Sequence, residues 1–351
     1  MHSKISITTL VGGGITSLQG LRCYGVLAIF LSHCSTLKIG HLGGLGVSFF
    51  ILITGYLTAA KYFDSGVSSH KALIIKRLKK YYPLHILTLI AALILSFRAS
   101  WTFRRFITLI LNASLLHSYV PVSNVYFSFN GVSWYLSLTM FFALITPLML
   151  KILHEIERRK FLIQSALILF VFQFLWCSLS MAAPEKFQHW IVYVSPFVRS
   201  IDFLIGGMIF LFMRQNRLKS QHRINLMFMS AAMIEIIFVI LRRNMTGNFI
   251  SELFSVSAWT IPNVIIILCV LFNEGRNSFI NKIFTNRLAV YIGNISFEFF
   301  MIHTLTLNIT EKLFRKFLGM DASLTVYACA LILTVLFAHV CNKILHRLVK
   351  T

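Results

Sequence analysis

The stretch Leu18–Leu37, LQGLRCYGVLAIFLSHCSTL, is apolar enough to enter a lipid bilayer, yet it contains Arg22 and His33. Charged or titratable side chains inside a bilayer cost a few kcal/mol on insertion scales, so they usually mark function. The two residues lie eleven positions apart. Eleven steps of ~100° return to within about 20° of the start, so both face one side of a helix, separated by roughly 16 Å. The stretch predicts a first helix with a cation near one membrane surface and an imidazole well inside the membrane.

The composition excludes an ordinary soluble protein. Hydrophobic residues make up 57% of the chain, charged residues 13%, and the mean hydropathy is +0.77. A soluble globular protein carries about 25% charged residues. The net charge of +22 would indicate nucleic acid in a soluble protein. Here the cations lie in short loops between apolar runs, which is typical of topology signals, so no nucleic-acid partner is expected. The six cysteines lack metal-ligand spacing, so we expect small core hydrophobes and no metal site.

Apolar runs predict an all-α bundle of about ten membrane-spanning helices, most of them near the ~20 residues that a bilayer requires. The runs are 20–38, 42–60, 83–98, 132–153, 161–181, 197–213, 224–241, 256–273, 288–309 and 323–345. A further run, 106–117, is short and is predicted to be a re-entrant or interfacial helix.

Loop charges predict the orientation. Basic loops are retained in the cytoplasm, and four loops are basic: Lys61, Lys71, Lys76, Arg77, Lys79 and Lys80; Arg158, Arg159 and Lys160; Arg214, Arg217, Lys219 and Arg223; and Arg276, Lys282 and Arg287. The uncharged loop 118–131 is predicted to lie outside, with both termini in the cytoplasm. This arrangement leaves Arg98, Arg104, Arg105, Arg242 and Arg243 outside, against the usual bias.

The first helix has a functional and a structural interpretation. A neutral imidazole in a low-dielectric site suits His33 to act as a general base or a transient acyl carrier, and Arg22 to bind an anionic group of a cosubstrate. The alternatives are an anchoring arginine at the membrane surface and a buried histidine bonded to a backbone carbonyl.

Two further motifs follow. In GHLGGLGVSFFILITGY, residues 40–56, the glycines allow close approach of either a neighbouring helix or a ligand. In KRLKKYYP, residues 76–83, Arg77 and Lys80 share one helix face. They are either cytoplasmic anchors or a clamp for the phosphates of a nucleotide-bearing donor.

Three motifs are predicted to lie towards the outer side. Trp134 and Ser137 in GVSWYLSL line a cavity or belong to an aromatic belt, and Arg199 and Asp202 in PFVRSIDFLIGG form an ion pair or part of an acceptor site. In IGNISFEFFMIH, Glu298 and His303 lie inside a span, and His303 lies at a depth that His33 can approach.

Taken in order, the blocks LQGLR(x10)H, GGLGVSFFILITGYL, KRLKKYYP, GVSWYLSL, RSIDFLIGG and IGNISFEFFMIH resemble the membrane-bound acyltransferase family 3. The resemblance covers about residues 18–345. Its members are bacterial inner-membrane proteins that O-acylate envelope glycans. It implies acyl-CoA, usually acetyl-CoA, as a cytoplasmic donor, and a lipid-linked or nascent polysaccharide as the acceptor.

The resemblance also implies site residues. Arg22 and His33 match the family's Arg–His pair, Arg77 and Lys80 match its basic pair, and His303 matches the histidine that closes its last block. Trp134 and Ser137 match its Trp-x-x-Ser. Lys80 stands where arginine is usual, and the acidic pair that often follows the Trp-x-x-Ser is replaced by Leu138, Thr139 and Met140. Glu298 or Asp202 would substitute for it.

The sequence therefore predicts a multi-pass O-acyltransferase of the bacterial inner membrane, embedded among membrane lipids. Residues 18–345 form the membrane domain, between cytoplasmic tails at 1–17 and 346–351. We expect His33, Arg22 and His303 in catalysis, Arg22, Arg77 and Lys80 on the donor, and Trp134, Ser137, Arg199, Asp202 and Glu298 on the acceptor. A transporter or flippase of a lipid-linked glycan and a non-catalytic membrane subunit remain the alternatives. Transporters often contain inverted repeats, and the sequence has none that we detect.

Overall fold

The computed structural model describes residues 15–97, 99–216 and 218–350, with side chains to residue 345. Arg98, Arg217, residues 1–14 of the predicted N-terminal tail and Thr351 of the C-terminal tail lie outside the described residues. The described chain is helical throughout and contains no strand.

The α-helices are, in chain order, α1 (Thr16–Ser32), α2 (Leu42–Tyr62), α3 (His70–Leu95), α4 (Phe103–Ala113), α5 (Ser123–Tyr126), α6 (Trp134–Arg159), α7 (Leu162–Ser180), α8 (Glu185–His189), α9 (Pro196–Gln215), α10 (Gln221–Asn244), α11 (Asn248–Leu253), α12 (Ser257–Phe272), α13 (Phe279–Phe284), α14 (Arg287–Asn294), α15 (Ser296–Leu318) and α16 (Leu324–Lys350). Short 3₁₀ turns occupy Ser35–Leu37 and His117–Tyr119, and a π-helical turn, Trp190–Val194, joins α8 to α9.

Nine of the ten predicted spans correspond to candidate membrane spans in the described chain. Eight are helices long and apolar enough to cross a bilayer. The ninth is the pair α14 and α15, which bends by 77° between Asn294 and Ser296. The bundle is therefore a polytopic membrane protein with eight or nine candidate spans.

The first predicted span, 20–38, is wrong in its extent. Helix α1 has 17 residues, which makes it about 25 Å long, less than the ~30 Å hydrocarbon core. It ends at Ser32, and polar groups that follow bond to a distant helix. The backbone N–H of Thr36 donates to the Tyr327 hydroxyl of α16 at 3.1 Å, and the Thr36 hydroxyl does so at 3.1 Å. His33 consequently caps α1 instead of lying within it.

The short run 106–117 forms a helix that is too short to cross the membrane, as predicted. Helix α4 has 11 residues, or about 16 Å, which is too short to cross a bilayer. Its Asn112 is buried, and the following turn buries His117.

Close helix contacts explain the glycines. A Cβ at Gly55 of α2 would overlap the carbonyl oxygen of Phe203 in α9, and one at Gly206 would overlap that of Leu52. Small residues allow such backbone approach in membrane bundles. The packing interpretation of the glycine-rich stretch is therefore supported, and α2 packs closely against both α9 and α1.

Candidate active site

A cavity of about 270 Å³ opens between α1, α2, α3, α6 and α15. Among the described residues, its wall carries five cations and no acidic side chain; the cations are Arg22, Lys61, Lys76, Arg77 and Lys80. Hydroxyl groups of Tyr62, Tyr81 and Tyr135 and of three threonines supply further hydrogen-bond donors. The structure thus brings together the three cations predicted for the donor and adds two more.

Arg77 is held by neutral groups. Its Nη1 donates to the backbone carbonyl of Thr139 at 2.9 Å, and its Nη2 donates to the Thr58 hydroxyl at 3.4 Å. These bonds fix the guanidinium between α2, α3 and α6 without neutralising its charge. Arg22 is held in a similar way, by Gln19 Oε1 at 3.3 Å and by the Phe50 ring, 5.9 Å from the guanidinium carbon.

In the described part of the chain, none of the five cations has a carboxylate within 4.0 Å. A concave wall of unpaired cations attracts anions, and guanidinium groups bind phosphate oxygens especially well. The cavity can therefore hold a phosphate-bearing ligand.

Lys61 and Lys76 were not predicted to bind the donor, although the sequence spacing of Lys76 could have indicated it. Lys76 and Lys80 are four residues apart, so they lie on the same face of α3. Lys61 lies in the last turn of α2, and it meets the cations of α3 only across the cavity that both helices line. No spacing within one helix could have revealed it.

His33 and His303 are brought together from opposite parts of the chain. Their ring centroids are 5.0 Å apart, with the ring planes at 60°. His33 is partly accessible at the end of α1, whereas His303 is completely buried within α15. We call these two residues the histidine pair.

Hydrogen bonding orients His303. Its Nδ1 lies 2.7 Å from the Phe300 carbonyl oxygen, and since a carbonyl only accepts, Nδ1 carries the proton in the neutral ring. Nε2 is then left as the acceptor nitrogen, and it has no hydrogen-bond partner among the described residues. An oriented imidazole with a free lone pair is suited to general-base chemistry.

The histidine pair lies beside the cavity, behind one aromatic ring. Phe300 lines the cavity, and its ring centroid is 5.9 Å from that of His303. The Tyr135 ring, also on the wall, is 5.3 Å from Phe300. Helix α1 provides a second connection, because Arg22 and Ile29 line the cavity and His33 follows one turn after Ile29.

Trp134 and Ser137 do not reach the cavity wall. The Ser137 hydroxyl is 3.5 Å from Nδ1 of the buried His117, and the Trp134 ring packs 5.0 Å from the Tyr193 ring. The wall positions of this helix are instead Tyr135, Leu136 and Thr139. His117, which the sequence reasoning missed, also contacts the Ser133 hydroxyl at 3.1 Å.

Arg199 and Asp202 form the predicted ion pair, with Nη1 and Oδ2 3.0 Å apart and both side chains fully buried. Arg199 Nη2 donates to the Ser48 hydroxyl at 3.1 Å, and Gln173 Nε2 donates to Asp202 Oδ1 at 2.5 Å. The pair joins α2, α7 and α9 and is absent from the cavity wall.

Glu298 was expected to share a site with the histidines, and the structure places it elsewhere. It lies five residues before His303, or about 140° around α15. Its Oε1 accepts a hydrogen bond from Asn342 Nδ2 of α16 at 3.0 Å. Glu298 therefore faces α16.

Comparison with known proteins gives a consistent assignment. A relative named acyltransferase MdmB, from Streptomyces mycarofaciens, is 25% identical over 96% of this chain and 90% of its own. A putative acetyltransferase, ORF330, from Acidianus two-tailed virus is 26% identical over 86% of each chain. No solved structure matches. The family described as "Acyltransferase domain", acyltransferase family 3, matches residues 15–343. Because that match covers nearly the whole chain, the protein belongs to this family of membrane acyltransferases.

Proposed function

We propose that the protein is an O-acyltransferase that moves an acetyl group from acetyl-CoA to a hydroxyl of a cell-envelope or exported polysaccharide. The observation that carries the proposal is the cavity of five unpaired cations, which adjoins the histidine pair. Membership in an acyltransferase family favours catalysis over the transporter and non-catalytic alternatives. A relative described as a putative acetyltransferase favours acetyl as the group transferred.

The donor is bound by its phosphates at Arg22, Arg77 and Lys80, with Lys61 and Lys76 adding to the local potential. The pantetheine arm of CoA contains two amides and about as many chain atoms as four residues, so it extends roughly 14 Å. Arg22 and His33 are separated by about 16 Å along α1. Phosphates at the cation wall therefore place the thioester close to the histidine pair.

The reaction is a direct transfer with balanced proton movement. The acceptor oxygen attacks the thioester carbonyl carbon while an imidazole of the histidine pair takes the hydroxyl proton. The carbon–sulfur bond then breaks, and the imidazolium returns the proton to the departing CoA thiolate. His33 is the base in this scheme, since its exposed ring is accessible to the substrates, and His303 positions it. The alternative role of His33, as acyl carrier, would give a covalent acetyl-imidazole.

The acceptor side is proposed to lie around Tyr193. The Trp134 ring is 5.0 Å from the Tyr193 ring, and the Arg199 guanidinium carbon is 5.7 Å from it. In this proposal the surface that binds the acceptor is formed or held in place by four residues: Trp134, Ser137, Arg199 and Asp202. Glu298 is left out, because it bonds to α16. The cation wall faces the cytoplasm of a bacterial inner membrane. In this proposal α1 and the turn that follows it make a tenth crossing beside the nine candidate spans, so both termini lie on the cytoplasmic side.

The test is acyl transfer by the purified full-length protein in lipid nanodiscs. The donor is [14C]acetyl-CoA, and the acceptor is a surface polysaccharide fraction from cells that lack the protein. Label in the polysaccharide supports the proposal, and mass spectrometry of the product identifies the hydroxyl. Label that remains on CoA, or transfer to protein alone, would reject it. Intact-protein mass spectrometry without acceptor distinguishes the direct transfer from an acetyl-imidazole intermediate.

A further inference from the structure

A second group of cations lies at the end of α1 opposite Arg22. Lys38 and Arg243 line one surface hollow together with Ile240 and Asn244, and Arg242 precedes Arg243 on α10. Arg242 and Arg243 are among the arginines that the predicted topology leaves outside, where cations are disfavoured. The usual bias of cations towards the cytoplasmic side therefore does not explain why these arginines lie here.

These cations lack a counter-charge. Within the described chain, Lys38, Arg242 and Arg243 have no carboxylate within 4.0 Å. Burial, followed by the charges of Arg242 and Arg243, lowers the pKa of His41 in the neighbouring loop to about 4. His41 therefore stays neutral and adds no charge. Arg242 donates to the Met245 carbonyl oxygen at 2.7 Å, and Lys38 and Arg243 are the cations that line the hollow.

An apolar groove of about 360 Å³ reaches this hollow. Its walls come from α1, α2, α10, α12 and α13, with Leu42, Phe228, Val239 and Ile266 among them. Its two polar members, Tyr24 and Glu235, are joined by a hydrogen bond of 2.6 Å. Ile240 lines both the groove and the hollow, so the two adjoin at this residue.

The groove faces lipid. Helix α10 is a candidate span with few buried residues, and Ile236 and Ile240 on its surface are 56% exposed. Glu235 and Arg243 are eight residues apart, so the groove extends about 12 Å from the cations into the membrane. An apolar channel of this kind that ends at unpaired cations is complementary to a molecule with a hydrocarbon chain and an anionic head.

We propose that an anionic phospholipid of the bilayer binds here, with one acyl chain in the groove and its phosphate on Lys38 and Arg243. Each cation contributes its charge near the membrane surface, where basic residues attract anionic lipids. A free phosphate ion would leave the groove empty. The site is independent of the donor cavity, which shares none of the residues of either the groove or the hollow.

The experiment measures retention of phosphatidylglycerol and of phosphatidylcholine by native mass spectrometry of the full-length protein. The test variant is Lys38→Asn/Arg243→Gln. Asparagine suits position 38, because Lys38 has φ 54° and asparagine tolerates this left-handed conformation. The matched control, Arg104→Gln/Lys186→Gln, removes two exposed cations elsewhere.

We expect phosphatidylglycerol affinity to fall about 30-fold in the test variant, which corresponds to about 1 kcal/mol per cation, and to stay unchanged in the control. Val239→Trp, which fills the groove, should weaken the binding as well. Wild-type affinity in the test variant would overturn the proposal, as would equal retention of phosphatidylcholine or full competition by soluble glycerol phosphate. Lys38→Asn alone, with an expected fivefold loss at about 1 kcal/mol, replaces the double variant if that fails to fold.

Discussion

His33 and His303 are separated by 270 residues in the chain, yet their ring centroids lie 5.0 Å apart. The contact exists because α1 ends at Ser32 and turns its next residue towards α15. Rings of Phe30, Phe299 and Phe300 lie around His303 at centroid distances of 6.4, 6.3 and 5.9 Å. This packing leaves one nitrogen of His303 unpaired and places it next to the more accessible His33.

The first prediction concerns the histidine pair. His33→Ala should lower the rate of acyl transfer at saturating donor and acceptor by about 100-fold or more, since a positioned general base typically contributes 10²–10⁴-fold. His303→Ala should also lower the rate of acyl transfer, because His33 would lose the ring that positions it. Initial rates with [14C]acetyl-CoA, normalised to membrane abundance, provide the measurement. The control is His70→Ala, because His70 is exposed at the start of α3. Full activity in His33→Ala would remove it from the mechanism.

The second prediction concerns the donor phosphates. Arg77→Gln and Arg22→Gln should each raise the KM for acetyl-CoA by about 10- to 100-fold, since a hydrogen bond to a charged group is worth about 1.5–3 kcal/mol. Arg77 donates to neutral groups of Thr139 and Thr58, so its replacement by glutamine leaves no buried carboxylate without a partner there. Lys79→Gln on the same helix is the matched control, because Lys79 is exposed and does not line the cavity.

A truncated donor separates charge recognition from folding. Acetyl-pantetheine lacks the phosphates, so its KM should be the same in wild type and in both arginine variants. If the variants weakened both donors equally, Arg22 and Arg77 would act on the shape of the cavity and not on phosphate. Dephospho-acetyl-CoA should give intermediate values.

Most of the fold could be predicted from the sequence, whereas much of the candidate site could not. Nine of the ten spans follow from runs of apolar residues, because each run alone must satisfy its backbone within the bilayer. Arg22 was found because a cation in an apolar stretch is costly, and Arg77 and Lys80 were found from their spacing on one helix face and from the family resemblance. The end of α1 was missed, and the residues after it contact Tyr327 on the last helix, a contact that the sequence does not reveal.

Side-chain direction was the other limit of the sequence. Trp134 and Ser137 were predicted for the acceptor, and the sequence did not show that Tyr135 of the same helix lines the donor cavity or that the Ser137 hydroxyl lies 3.5 Å from His117 Nδ1. A motif gives spacing along a helix, whereas the rotation of that helix depends on its neighbours. Glu298 illustrates the same point, because its partner Asn342 belongs to a helix that packs against α15 only in three dimensions.

The third prediction concerns orientation. A reporter enzyme fused after Asn124 should be active outside the cytoplasm, and one fused after Lys160 should be active inside. Asn124 lies in an uncharged loop region, and Lys160 ends α6 beside Arg158 and Arg159. Alkaline phosphatase and green fluorescent protein fusions at both positions provide reciprocal readouts. A cytoplasmic signal at Asn124 would reverse the topology and place the cation wall on the wrong side for a cytoplasmic donor.

The fourth prediction concerns the buried Arg199–Asp202 ion pair. Arg199→Met leaves the Asp202 carboxylate unpaired in a fully buried position, and breaking such a pair costs about 3–5 kcal/mol. We expect a marked fall in thermal stability and in membrane abundance. The double variant Arg199→Met/Asp202→Leu removes both charges and should recover much of that stability, since apolar replacement of a buried pair is often neutral.

Kinetics of the double variant then separate the two interpretations of this pair. If the pair only braces α2, α7 and α9, the folded double variant keeps the wild-type KM for the polysaccharide acceptor. If Arg199 and Asp202 shape the acceptor wall around Tyr193, that KM rises while the KM for acetyl-CoA is unchanged. Arg158→Met is the control, since Arg158 and Glu155 form an exposed pair of the same spacing, whose loss should change stability little. Because Tyr193 lies between Trp134 and Arg199, we expect the increase in acceptor KM.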